Sequence, residues 1–168
     1  GLPQSDVHCL LQDSRGYVWV GTSNGVSMFD GKSFITYSKS NGLSGSTVRS
    51  ILQDNLGRMW FATESGITVF NGRKFIIIDK HDGLKGSTVL SLLQDHQNNI
   101  LAGTDDGGIN KIVSLGVDSF NVSNINHENG LSDSPVFDLF EDNNNNVWAA
   151  TLGGGINILK PVNQDYEI

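Results

Sequence analysis

The chain has 168 residues, of which 38% are hydrophobic and only 17% charged, which sets it apart from membrane-embedded chains and from charge-rich disordered ones. Eleven Lys and Arg against 18 Asp and Glu leave a net charge of −7, which argues against the clustered basic surface that nucleic acids and anionic membranes require. No apolar run reaches the ~18 residues of a membrane-crossing helix, and one cysteine, Cys9, excludes an intrachain disulfide and a multi-cysteine zinc site. What replaces the missing charge is small and polar: 20 Gly, 17 Asn and 18 Ser, with only 3 Pro. That composition predicts many tight turns between short strands. No charged-then-apolar leader pattern opens the sequence. A first residue of Gly rather than Met is what excision from a longer chain is expected to leave.

Self-similarity organises the rest. Gly-Leu recurs at 1–2, 42–43, 83–84 and 130–131, with spacings of 41, 41 and 47. Eleven residues after each Gly comes Gln12-Asp13, Gln53-Asp54, Gln94-Asp95 or Glu141-Asp142. Six beyond each Asp stands Trp19, Trp60, Leu101 or Trp148, and three further Thr22, Thr63, Thr104 or Thr151. Each copy divides into four short strands. In the first copy the strands are Val7–Gln12, Tyr17–Thr22, Gly25–Phe29 and Ser33–Ser38, with turns at Asp13–Gly16 and Asp30-Gly31. Asp can cap its own turn, Gly takes positive φ, and Asp-Gly is a strong hairpin signal. The second copy repeats this at Val48–Gln53, Arg58–Thr63, Gly66–Phe70 and Lys74–Asp79. The third has Val89–Gln94, Asn99–Thr104, a strand from Gly108 and a fourth near Ser119–Ser123, with six added residues between. The fourth has Val136–Glu141, Asn146–Thr151 and a strand from Gly155; Tyr166–Ile168 falls where the last strand begins.

Four-stranded meanders recurring every forty-odd residues predict an all-β fold, a β-propeller built of antiparallel four-stranded blades. Four blades are expected, at about 1–41, 42–82, 83–129 and 130–168. An array that starts on a repeat boundary and stops within a strand is expected to be part of a larger propeller, or to pair with another chain, more than to close alone. Homo-oligomers and further blades of a parent chain are therefore the expected protein partners.

The strand Gly16-Tyr17-Val18-Trp19-Val20-Gly21-Thr22, followed by Asn24-Gly25-Val26 and Phe29-Asp30-Gly31-Lys32-Ser33-Phe34, resembles the two-component regulator propeller repeat. The resemblance covers residues 1–160 and is strongest in the first two copies; Leu101 and the stretch Val113–Asn129 depart from it. It implies a sensor region of a bacterial hybrid histidine kinase, periplasmic or otherwise extracytoplasmic. No kinase, receiver or DNA-binding segment lies in this chain, so output would depend on other parts.

In such a meander the first-to-second and third-to-fourth turns share one end, and their residues follow from backbone geometry. The opposite end carries the Gly-Leu linkers and the second-to-third loops, where the copies disagree: Ser23-Asn24, Glu64-Ser65, Asp105-Asp106-Gly107 and Leu152-Gly153-Gly154. A second variable ring opens the innermost strands: His8, Arg49, Leu90 and Phe137. The candidate ligand-binding set is Arg49, Glu64, Asp105, Asp106, His8 and Phe137, which combines planar polar groups with an aromatic face and suits an oligosaccharide. No cofactor is expected. Two adjacent carboxylates supply too few oxygens for calcium, and the four histidines lack metal-ligand spacing. Cys9 reads as a small buried hydrophobe, and the recurring tryptophans as interblade packing. A non-enzymatic ligand sensor is the expectation. A protein-interaction scaffold working through rim or edge strands and an enzyme resembling streptogramin lyases are the alternatives, the last disfavoured by the lack of a clustered His/Glu pair.

Overall fold

The computed structural model describes residues 2 and 4–168; Gly1, which opens the first Gly-Leu repeat, lies outside them. Among the described residues, sixteen strands form four antiparallel four-stranded sheets, each a meander. The first blade is β1 (Val7–Gln12), β2 (Val18–Thr22), β3 (Gly25–Phe29) and β4 (Phe34–Tyr37). The second is β5 (Val48–Gln53), β6 (Met59–Thr63), β7 (Gly66–Phe70) and β8 (Phe75–Ile78). The third is β9 (Val89–Gln94), β10 (Ile100–Thr104), β11 (Ile109–Ser114) and β12 (Phe120–Ile125). The fourth is β13 (Val136–Glu141), β14 (Val147–Thr151), β15 (Gly155–Val162) and β16 (Asp165–Glu167). The chain is thus four blades of a partial β-propeller.

The turns follow their side chains closely. Asp13, Asp54, Asp95 and Asp142 each use one carboxylate oxygen to accept the N–H groups two and four residues on. The residue that closes each turn has positive φ: Gly16 at 89°, Gly57 at 78°, Asn98 at 66° and Asn145 at 65°. That is why glycine or asparagine stands there. The outer hairpins differ from the sequence expectation by one residue. Asp30 N–H bonds the Ser33 carbonyl, so the central pair is Gly31-Lys32, with Asp30 capping it from outside. Asn71 does the same around Gly72-Arg73.

Three apolar cores lie between consecutive blades. Trp19, Val26 and Met28 of the first blade pack on Val48, Ile51, Met59 and Phe61 of the second. Trp60, Ile67 and Val69 pack on Val89, Ile100 and Ala102; Leu101 and Ile109 pack on Val136, Leu139 and Val147. The expected interblade role of the tryptophans holds for Trp19 and Trp60, which are fully buried, whereas Trp148 is partly exposed, with no blade packed on it among the described residues. Polar side chains tie the linkers of the second, third and fourth blades to the third strand of each blade. Thr68 accepts from Ser44 N–H, Asn110 from Lys85 N–H and Asn157 from Ser132 N–H.

The inner strands β1, β5, β9 and β13 lie side by side in that order. The arc is open among the described residues: apolar groups on the outer faces of the first and fourth blades remain exposed. The short β16 pairs only with Lys160–Val162 of the longer β15, leaving Gly155–Leu159 without an outer partner.

Candidate ligand-binding face

The variable ring of the innermost strands has a structural basis. Val7 pairs with Thr22 and Cys9 with Gly21, leaving His8 as an extra residue in the ladder. Arg49, Leu90 and Phe137 occupy the same place between Val48 and Ser50, Val89 and Ser91, and Val136 and Asp138. Each is a β-bulge, which re-aims a side chain and frees it from pairing constraints. His8, Arg49 and Phe137 are exposed and Leu90 is half-buried. Four different residues at one bulge mark a position set by surroundings other than the blade's own packing.

The second-to-third loops are built around a threonine. Thr22, Thr63, Thr104 and Thr151 donate their hydroxyls to the carbonyls of Gly25, Gly66, Gly108 and Gly155 at 2.8–3.0 Å. In the first three blades the side chain after the threonine bonds the inner strand or the approach to it. The Glu64 carboxylate accepts Ser46 N–H and Thr47 N–H, both at 2.8 Å. Burial opposes its charge, but these N–H groups outweigh it and hold its pKa below the ordinary glutamate value. Asp105 accepts Thr88 N–H at 3.2 Å in the equivalent place. In the first blade Ser23 instead bonds His8 Nε2 at 2.9 Å. Glu64 and Asp105 therefore cap backbone, a role their variability concealed in the sequence.

Asp106 differs. It is exposed, and its hydrogen bond to Asp105, together with burial and the Asp105 charge, raises its pKa. Burial also disfavours the Asp105 charge, but hydrogen bonds from Asp106 and Thr88 hold its pKa down. Asp106 stands on the wall between two hollows. One, of about 500 Å³, lies between the second and third blades and is lined by Glu64, Ser65, Asp79, Lys80, Lys85 and Asp106 among others. The other, of about 280 Å³, lies towards the fourth blade and shares Lys85 and Asp106 with Asn124, Asn126 and His127. Asp79 is engaged by His81 N–H, and the Lys85 backbone is pinned on both sides by Asn110. The side chains of Lys80, Lys85 and Asp106 are exposed on this fixed frame.

Of the six candidates, the structure brings Glu64 and Asp106 to one hollow and places Asp105 behind them as a cap. His8, Arg49 and Phe137 lie apart on the bulges and line neither hollow. Sequence reasoning missed Lys80, Lys85, Asn124 and Asn126. One signal was available: Lys85 stands where the other described linkers carry Ser44 and Ser132.

Comparison with known proteins places the repeat. The two-component regulator propeller family matches at residues 1–24, 42–65 and 130–153, in the first, second and fourth blades. Three of the four blades thus match this repeat in part. The third blade, outside those matches, is the one in which leucine replaces tryptophan. No curated protein matches. Among solved structures, the extracellular domain of a hybrid two-component system from B. thetaiotaomicron is similar with a TM-score of 0.79 and 22% identity, over 92% of this chain and 22% of that one. The extracellular domain of a one-component system from the same organism gives 0.80 and 23%, over 99% and 25%. Streptogramin B lyase gives 0.62 and 17%, over 94% and 55%. This chain spans about a quarter of the two extracellular domains. At these identities the likeness concerns the fold.

Proposed function

We propose that the chain is a ligand-sensing part of an extracytoplasmic propeller in a two-component receptor, and that it binds a carbohydrate-derived ligand without turning it over. The observation that carries this reading is the 500 Å³ hollow at the linker end, where Lys80 and Lys85 offer donors opposite the acceptors of Glu64 and Asp106. Hydroxyl-rich molecules are held by such mixed donors and acceptors on a rigid frame. Repeats of a sensor-associated family and similarity to extracellular domains support the setting. Binding without chemistry fits a site in which Asp105, the carboxylate next to Asp106, is committed to Thr88 N–H. Signal would follow from different affinities for two receptor conformations.

The test is calorimetric titration of the chain with a panel of neutral and acidic oligosaccharides. A binding isotherm weakened ~10-fold or more in Lys85→Ala and Asp106→Ala, consistent with loss of charged hydrogen bonds, supports the site. Binding that ignores both but is lost in Arg49→Ala moves the site to the bulge ring. A panel that gives no heat and no shift in melting temperature removes the carbohydrate reading. A scaffold role has one observation in its favour, the uncovered outer edge of β15 beside the short β16, since open edges recruit strands.

A further inference from the structure

We infer that the seam between the third and fourth blades holds a second binding site, at the end of the propeller opposite the linkers, and that it takes a small oxyanion against the buried ammonium of Lys111. In the ladder of the third blade Lys111 pairs with Leu101. Trp19 pairs in the same way with Met28, and Trp60 with Val69, both buried and apolar. The third blade thus puts a lysine, 5% exposed, at a place that the two blades before it give to apolar side chains. A charge withdrawn from water is costly unless a close counter-charge meets it, so the surroundings of the ammonium decide what it can do.

Lys111 Nζ donates to the Gln164 carbonyl and lies 5.7 Å from the centre of the Tyr166 ring. Among the described residues its ion pair is with Asp165, at 3.5 Å, well beyond the ~2.7–2.9 Å of a close ammonium–carboxylate bond. The Asp165 side chain is 78% exposed, so water screens the pair. Two further carboxylates of the seam are engaged elsewhere. Asp95 accepts from Asn99 Nδ2 and the Tyr166 hydroxyl, and Glu141 accepts His96 N–H at 3.1 Å. The ammonium has three N–H groups, and one carbonyl and one distant carboxylate leave its charge poorly matched. Beside it opens a hollow of about 450 Å³, lined by Gln97, Asn99, Lys111, Val113 and Gln164. That lining holds three carboxamides and an ammonium and no carboxylate, in a chain whose net charge is −7. Gln97 gives one amide N–H to the Asn163 carbonyl at 2.9 Å, which fixes the side chain and leaves it a second N–H. Several N–H donors around one cation are what an oxyanion accepts from most strongly. The hollow shares no residue with the two at the linker end, so it stands apart from the sensing site proposed there.

Titration of the chain with acetate, sulfate and inorganic phosphate at constant ionic strength tests this, followed through the side-chain amide signals of Gln97, Asn99 and Gln164 in heteronuclear NMR spectra. Saturable shifts of these signals are expected. Shifts with acetate alone identify a planar carboxylate as the ligand group, and shifts with sulfate or phosphate a tetrahedral oxyanion. Lys111→Met, which gives this position the residue found in the first blade, should weaken binding ~10-fold or more while circular dichroism shows the fold intact. Asp165→Asn removes the internal competitor at an exposed site and should tighten binding about 2- to 5-fold, the worth of a screened ion pair. That variant decides the matter even if Lys111→Met does not fold. No saturable shift with any of the three anions overturns the inference, as does binding that a folded Lys111→Met leaves unchanged. Weaker binding in Asp165→Asn overturns it too, since Asp165 would then hold the ammonium in place and not compete for it.

Discussion

At the scale of single residues, one carboxylate in each blade sets the local structure. Asp13, Asp54 and Asp142 accept an indole N–H on their second oxygen, from Trp19 at 3.0 Å, Trp60 at 2.8 Å and Trp148 at 2.9 Å. The third blade has Leu101, which offers no donor. Asp95 is instead satisfied by Asn99 Nδ2 at 3.0 Å and by the hydroxyl of Tyr166, from the next blade, at 2.8 Å. Burial, and then the Asp95 carboxylate, push the Tyr166 pKa up, so the hydroxyl stays protonated and able to donate. Tyr166→Phe should therefore cost ~1.5–3 kcal/mol, the value of a hydrogen bond to a buried charge, read from denaturant unfolding. Equal stability would show that Asn99 alone suffices. The same carboxylates predict the acid response. Hydrogen bonds from Trp148 and Asn146 bring Asp142 down to about 2. Asp13 is also lowered: burial works against its charge, and the bonds from Trp19 and the turn N–H groups prevail. A folded pKa below the unfolded one contributes stability that is fully present above ~4 and lost as pH falls through the folded value. Melting temperature should hold from pH 8 to 5 and drop between about 4 and 2. Asp106, raised in the folded state, acts in the opposite sense and blunts the drop slightly. A curve that stays level down to pH 2 would count against the turn carboxylates as stabilisers.

At the scale of strands and turns, much of the fold was legible because its causes are local. The first strands begin and end where alternation and the Gln-Asp stop place them, and Gly or Asn stands where the turn needs positive φ. What local reading misses is register. The bulges at His8, Arg49, Leu90 and Phe137 appear only when the second strand is paired, since a run such as Val89–Gln94 looks the same with or without an extra residue. The outer hairpins were misplaced by one for a related reason: Asp30 and Asn71 cap the turn from outside its central pair. The caps made by Glu64 and Asp105 depend on loop-to-linker contacts 17 and 18 residues apart. Close approach between blades gives a paired test. Gly21→Val forces a side chain against Val48 Cγ1 and its carbonyl oxygen at 3.0 Å, and should cost ~1–3 kcal/mol as overpacking. Ala150→Val, at the equivalent register position but exposed, should leave monomer stability within about 0.5 kcal/mol. Equal losses would mean that the small residue serves the blade's own twist and not its neighbour.

At the scale of the whole molecule, the repeat count and blade type were readable from the sequence, and so was the end of the propeller where the blades diverge. The candidate site within that end was readable only in part. The two hollows depend on how adjacent linkers sit across a blade boundary, and Lys80 and Lys85 belong to a linker, not to the loops whose variation is conspicuous. The open arc also makes the three tryptophans unequal although they occupy one sequence position. Trp19 and Trp60 are closed off by the following blade, whereas Trp148 meets solvent beside Phe140 and Ile156. At high dilution, a third of the indoles should therefore be open to a polar quencher such as acrylamide, and Trp148→Phe should abolish that quenchable fraction. If Trp148 is shielded from the outset, the fourth blade is already covered within the single chain and the arc is closed.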